Sequence, residues 1–158
     1  MARLPVLACS AFVAVGFATA CSRQPPSASA APPPPTPAQA AILAALPEAY
    51  RHADLENGQA KFALCRSCHT ARQGEMATVG PNLCGVFGRR AGSAPGYPYS
   101  ADVRALGITW DAETLNRWIA GPRAMAPGTH MTFIGLENPK DRTDLVAYLK
   151  VTSTAVPN

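Results

Sequence analysis

Cys65, Cys68 and His69 stand together in the run Cys65-Arg66-Ser67-Cys68-His69. Two thiols three residues apart with an imidazole directly after them make the C-x-x-C-H pattern by which a c-type haem is attached. The spacing suits that chemistry. Thiols at i and i+3 share one face at the end of a helix, where both can form thioethers to one edge of a macrocycle, and the next residue turns its imidazole under the iron. Three other uses of the same residues compete: a disulfide, a thioredoxin-like redox pair, and a zinc site completed by Cys84. A thioredoxin requires βαβ patterning, which this sequence lacks. A zinc site usually brings a second closely spaced ligand pair, and Cys84 stands alone.

A haem iron held by His69 still needs its other axial position assigned. Filled, it implies electron transfer; open, it implies gas binding or catalysis. The candidates are His52, His130, Met76, Met125 and Met131. Met131 is preferred, because Pro127-Gly128-Thr129-His130-Met131 reads as a rigid turn projecting a thioether. Met125 is its main rival, and any of these methionines can instead fill a gap in a core.

The elements that must position these groups can be read from capping signals. Asp54 starts a helix through Leu64, which delivers Cys65 at its end; Asp111 caps a helix over 112–120 before Gly121-Pro122; Asn138-Pro139 opens a C-terminal helix. On that last helix Leu145, Tyr148 and Leu149 recur at i, i+3 and i+4 and make one apolar face. Gly58 and Phe62 on the first helix are its expected partners, with the glycine allowing close approach.

With these motifs in place, the stretch from about Gly58 to Ser153 resembles the class I c-type cytochromes, the family of mitochondrial cytochrome c and its bacterial relatives. The resemblance extends beyond CRSCHT and PGTHMTF to Gly80-Pro81-Asn82-Leu83, Val86-Phe87-Gly88-Arg89, Ala94-Pro95-Gly96-Tyr97, Gly107-Ile108-Thr109-Trp110 and Asp144-Leu145-Val146-Ala147-Tyr148-Leu149-Lys150. It implies a small all-α fold wrapped around one haem, covalently bound through Cys65 and Cys68, with His69 and Met131 on the iron. It further implies that the Pro81 carbonyl holds the second nitrogen of His69. Tyr99, Trp110, Arg89 and Thr129 are then expected near the propionates, Trp118 on the methionine side, and Phe133 as a cover against water. Where relatives of the mitochondrial type ring the haem edge with lysines, this sequence has Leu64, Ala124 and His130, leaving Arg66, Arg72 and Arg123 as contacts. Cys84 is expected to be a buried spectator rather than a reactive thiol.

The remainder of the 158 residues carries addressing rather than chemistry. Residues 1–20 combine Arg3, an apolar stretch and the small residues Ala18-Thr19-Ala20, the pattern of an export signal. Ala18-Thr19-Ala20-Cys21 resembles a lipobox, which makes Cys21 a lipidation site; plain cleavage after Ala20 is the alternative. Residues 21–46 read as a tether, with seven prolines between Pro25 and Pro37. Twenty such residues reach up to about 60 Å at ~3.1 Å each. The segment Ala41 to Leu46 either forms a helical turn against the domain or is a flank. The globular domain is placed at 47–158.

Fourteen basic against ten acidic residues, scattered singly apart from Arg89-Arg90, exclude the dense basic stripe of a nucleic-acid binder. What the resemblance implies, together with the export signal and the lipobox, is a monomeric electron carrier and not an enzyme, exported to the periplasmic side of a bacterial membrane and lipid-anchored there. Its donor is expected to be a quinol-oxidising complex of a respiratory chain and its acceptor a terminal oxidase or reductase. The competing readings are a haem peroxidase-like catalyst and a haem-based ligand sensor, both requiring an open iron.

Overall fold

In the computed structural model, residues 33–154 are described, and they form seven helices joined by ordered loops. Residues 1–20, Cys21 and the first part of the proline-rich segment lie outside the described residues. Among the described residues there is no strand, only one isolated antiparallel bridge between Arg90 and Thr109. None of the described helices is long and apolar enough to cross a membrane.

The three expected helices start where their caps place them, though the first, expected through Leu64, ends at Phe62 and hands the chain to i→i+3 turn bonds from Leu64 N to the Lys61 carbonyl and from Cys65 N to the Phe62 carbonyl. Asp54 accepts a hydrogen bond from Asn57 N and starts α3 (Leu55–Phe62). Asp111 and Thr114 close a reciprocal capping box on α5 (Ala112–Ala120). Asn138 accepts from the amides of Lys140 and Asp141 and opens α7 (Pro139–Ser153), with Pro139 in the first turn. Between α3 and α5 lies α4 (Ala101–Ala105), capped by Ser100, and α6 (Pro122–Met125) follows α5 after Gly121.

The crossing of α3 and α7 frames the domain. A Cβ built on Gly58 would lie 2.2 Å from the Asp144 carbonyl oxygen and 2.7 Å from Tyr148 Cβ, so only glycine permits this approach. One turn later Phe62 meets Tyr148 with ring centroids 5.7 Å apart. The buried Asp144 carboxylate ties the pair together. It accepts from Asp54 N (2.9 Å), Asn57 Nδ2 (2.7 Å) and Lys140 Nζ (2.6 Å), so its charge is both hydrogen-bonded and paired. Leu145, Val146, Ala147 and Leu149 fill the core beneath, and α5 packs Leu115 and Ile119 into the same cluster.

The start of the domain differs from the sequence reading. Pro37 begins a helix, α1 (Pro37–Ala44), where Thr36 and Gln39 close a capping box, and α2 (Glu48–Arg51) follows Pro47. Leu43 is 2% exposed and Leu46 5%, both within the core cluster beside α7. Burial of each stabilises the fold by roughly 1.5–3 kcal/mol. Tyr50 on α2 is buried and donates its hydroxyl to the Ala112 carbonyl (3.3 Å) at the head of α5. Residues 37–46, read as the end of a tether, therefore pack as part of the domain.

Candidate functional site

The chain leaves α3 through turn-like backbone bonds that fix the C-x-x-C-H segment. Cys68 N and His69 N both donate to the Cys65 carbonyl (3.0 and 2.9 Å), bringing the two thiols and the imidazole to one side. All three side chains line a cavity of about 410 Å³. Both thiols are free, as is that of Cys84. Burial, with a smaller contribution from the neighbouring Cys68 thiol, pushes the Cys65 thiol up to about 11. Among the described residues no three His, Cys, Asp or Glu side chains gather as a metal site, so nothing assembles around Cys84 to make a zinc centre.

His69 is held by its surroundings. Its Nδ1 lies 2.8 Å from the Pro81 carbonyl, so Nδ1 carries the donated proton and Nε2 keeps its lone pair. Burial lowers the pKa of the ring, against the weaker opposing pull of the Pro81 carbonyl, and so favours the neutral form that can act as a ligand. Gly80 makes room for this ring, because a Cβ there would lie 2.4 Å from Cε1. The Gly80 amide donates to the Cys68 carbonyl (2.7 Å), pinning the loop that carries Pro81 to the C-x-x-C-H turn.

The other residues singled out from the sequence converge on the same cavity. Arg89, Tyr99, Trp110 and Thr129 line it, as do Trp118, Met131 and Phe133. The Arg89 guanidinium is anchored by donating to the carbonyls of Asn82 (3.0 Å) and Cys84 (3.2 Å), which fixes its charge beside the cavity. Desolvation raises the Tyr99 pKa, so its hydroxyl stays protonated and able to donate. Trp110 and Trp118 meet edge to face at 5.5 Å. Thr129 is buried, and its Oγ1 accepts from Met131 N (3.2 Å), steadying the turn that presents Met131.

The five side chains weighed for the second axial position separate clearly. Met131 and His130 line the cavity; Met125 does not. Met76 is 83% exposed, and His52 is exposed beside Glu48. Cys84 is half-buried away from the cavity, its amide donating to Asn82 Oδ1 (2.7 Å).

Sequence reasoning missed much of the apolar wall. Val86, Val103, Leu115, Ile119 and Leu149 face the cavity, together with Tyr97. The one available signal was the i, i+3, i+4 spacing of Leu115, Trp118 and Ile119, which puts all three on one face of α5. Tyr97 stacks edge-on to Tyr99 at 4.7 Å and donates to the Val79 carbonyl (2.8 Å), linking two walls of the cavity.

These walls fit a large flat apolar group with a polar edge. Two free thiols, an imidazole held toward its neutral form, a thioether, a fixed guanidinium and hydroxyl groups all line the cavity. A covalently attached haem matches each of these groups.

The Cytochrome c family profile matches residues 55–153. Cytochrome c2 of Rhodomicrobium vannielii is 42% identical over 101 residues, covering 64% of this chain and 81% of that one. Cytochrome c of Cannabis sativa is 45% identical over 86 residues, covering 54% and 78%. Among solved structures, cytochrome cH from Methylobacterium extorquens superposes with a TM-score of 0.57 at 42% identity, covering 61% of this chain and 96% of that one.

Proposed function

The chain belongs to the cytochrome c family, with the class I all-α fold, and on that premise we propose that it ferries single electrons between a membrane quinol-oxidising complex and a terminal oxidase or reductase. It is a monohaem electron carrier, and its cofactor is haem c with iron, covalently bound through Cys65 and Cys68. When bound, that group supplies a one-electron Fe(II)/Fe(III) couple.

In this reading His69 and Met131 would hold the haem iron. His69 offers Nε2 because Pro81 holds its Nδ1 proton, and Met131 is the sulfur the turn after Pro127 presents to the cavity. Thioether ligation favours the reduced state and raises the potential. Arg89, fixed by two backbone carbonyls, offsets negative charge at the polar edge, with Tyr99, Trp110 and Thr129 as donors beside it. Trp118 and Phe133 exclude water, which keeps the surroundings from reorganising as the charge changes. Leu64 is 56% exposed at the mouth of the cavity, and His130 is exposed there too. With exposed Arg66, Arg72 and Arg123, they form the docking side for redox proteins.

The reading includes export by residues 1–20 to the periplasmic side of a bacterial membrane and lipidation at Cys21. The proline-rich segment up to Thr36 then holds the domain near its membrane partners and raises their effective concentration.

The observation that carries the proposal is the convergence of Met131 with Cys65, Cys68 and His69 on one cavity that excludes Met125. Spectra of oxidised Met131→Ala and Met125→Ala holoproteins test it. The long-wavelength sulfur-to-iron band is expected to vanish in Met131→Ala and persist in Met125→Ala. The reverse pattern would move the ligand to α6.

A further inference from the structure

The segment that presents Met131 is hydrogen-bonded mostly to itself and to the helix just before it. Thr129 N donates to the Ala126 carbonyl (3.0 Å), Met131 N to Thr129 Oγ1 (3.2 Å), and Arg123 Nη1 to the Pro127 carbonyl (3.2 Å). Among the described residues one hydrogen bond reaches 127–133 from elsewhere in the fold. Gly128 N donates to Asp102 Oδ2 at 2.6 Å, across 26 residues of sequence.

Asp102 lies on α4, whose cap Ser100 and whose Val103 belong to another part of the cavity wall. The approach is close enough that a Cβ on Gly128 would sit 2.9 Å from Oδ2 and 3.0 Å from Cγ of Asp102. Gly128 therefore serves this contact by presenting a bare backbone amide to the carboxylate. A carboxylate accepting from an amide is a charge-assisted bond, shorter and stronger than a neutral one.

We propose that Asp102 is a positioning residue for the sixth ligand, a latch from α4 to the Met131 turn that holds the thioether in place against competing ligands. The proposal rests on the reading of Met131 as that ligand. Without the latch, the turn keeps its internal bonds but loses its tie to the other wall, so the thioether leaves the iron more readily and an external base replaces it more easily.

Imidazole titration of the oxidised holoprotein, followed by loss of the long-wavelength sulfur-to-iron band, measures this directly. Asp102→Ala is expected to bind imidazole about tenfold more tightly than wild type, equivalent to about 1.4 kcal/mol. Asp102→Asn keeps an acceptor oxygen and is expected to stay within about threefold of wild type. Asp141→Ala, which removes the Lys61–Asp141 ion pair on the α3–α7 side, serves as the control. It is expected to lower the melting temperature without altering imidazole affinity. Wild-type imidazole affinity in Asp102→Ala would overturn the latch, as would an Asp102→Asn protein that behaves like Asp102→Ala. If wild-type protein itself lacks the sulfur-to-iron band, the Met131 assignment fails first and the latch falls with it.

Discussion

Gly58→Ala places the smallest possible side chain into the tightest contact of the fold. The new Cβ would lie 2.2 Å from the Asp144 carbonyl oxygen and 2.7 Å from Tyr148 Cβ. Ordinary contact needs more than 3 Å, so α3 and α7 must part by about 1 Å, because the obstacle is backbone and cannot rotate away. Overpacking of this kind costs about 1–3 kcal/mol, and backbone puts it at the upper end. Separation also lengthens the bonds from Asp54 N and Asn57 Nδ2 to the buried Asp144 carboxylate, now 2.9 and 2.7 Å. Bonds to a charged group contribute about 1.5–3 kcal/mol each, so partial loss adds about 1 kcal/mol. Against these stands the better helix propensity of alanine, worth about 1 kcal/mol. The net expectation is about 3 kcal/mol of destabilisation, or roughly 12 °C in Tm at about 4 °C per kcal/mol for a domain of this size. Thermal melting by far-UV circular dichroism measures it. Gln59→Ala, one residue along on the exposed face, is expected to change stability by less than about 0.5 kcal/mol. A Gly58→Ala protein melting at or above wild type would refute the close-crossing argument.

Ser153 is 1% exposed and its Oγ finds no hydrogen-bond partner among the described residues; Ser153→Ala should therefore stabilise by about 1 kcal/mol, seen as a Tm roughly 4 °C higher. Leu43→Ala should cost about 2–4 kcal/mol in urea unfolding, a value near zero meaning that α1 is not part of the domain. Asp111 has its pKa lowered, chiefly by the Thr114 hydroxyl and then by the Thr114 amide, so its carboxylate stabilises the fold above the ordinary 3.8 and that contribution is lost as pH falls below it. Asp111→Asn keeps a cap but removes this titration, so acid melts of the variant should fall less steeply in that range than those of wild type. Gly80→Ala drives a Cβ to 2.4 Å from the His69 ring and should broaden or shift the spectrum of the holoprotein, whereas an unchanged spectrum would mean the ring has room to spare.

Local signals were legible in the sequence wherever one residue type does one job. Asp54, Asp111 and Asn138 cap helices because each side chain accepts from amides two or three residues ahead, a geometry independent of the rest of the fold. The close approach at Gly58 was also legible, through the apolar face of Leu145, Tyr148 and Leu149. For α1 the apolar run Ala41 to Leu46 leaves a helical turn or a flank open, while the start at Pro37 is hidden, although Thr36-Pro37-Ala38-Gln39 contains a complete capping box, because the prolines before it set the expectation of an extended chain. Its burial depends on α7, which begins 95 residues after α1 ends, and no local pattern reports that. The same limit applies to the cavity. His69 and Met131 announce themselves by chemistry, but Val86 and Val103 look like any core valines until the chain folds their side chains toward one space. Asp102 carried no signal at all, since its contact with Gly128 joins α4 to a turn 26 residues further along the chain.

The central claim is a single covalently held haem whose iron has both axial positions filled from this chain. Denaturing electrophoresis with haem staining, run beside oxidised and reduced optical spectra of the purified protein with and without carbon monoxide, tests it most directly. The account predicts a haem-stained band at the protein's own mobility, a low-spin spectrum with the sulfur-to-iron band when oxidised, and no change with carbon monoxide when reduced. Covalent haem with a high-spin spectrum that shifts on adding carbon monoxide would contradict the carrier reading and favour a catalyst or sensor.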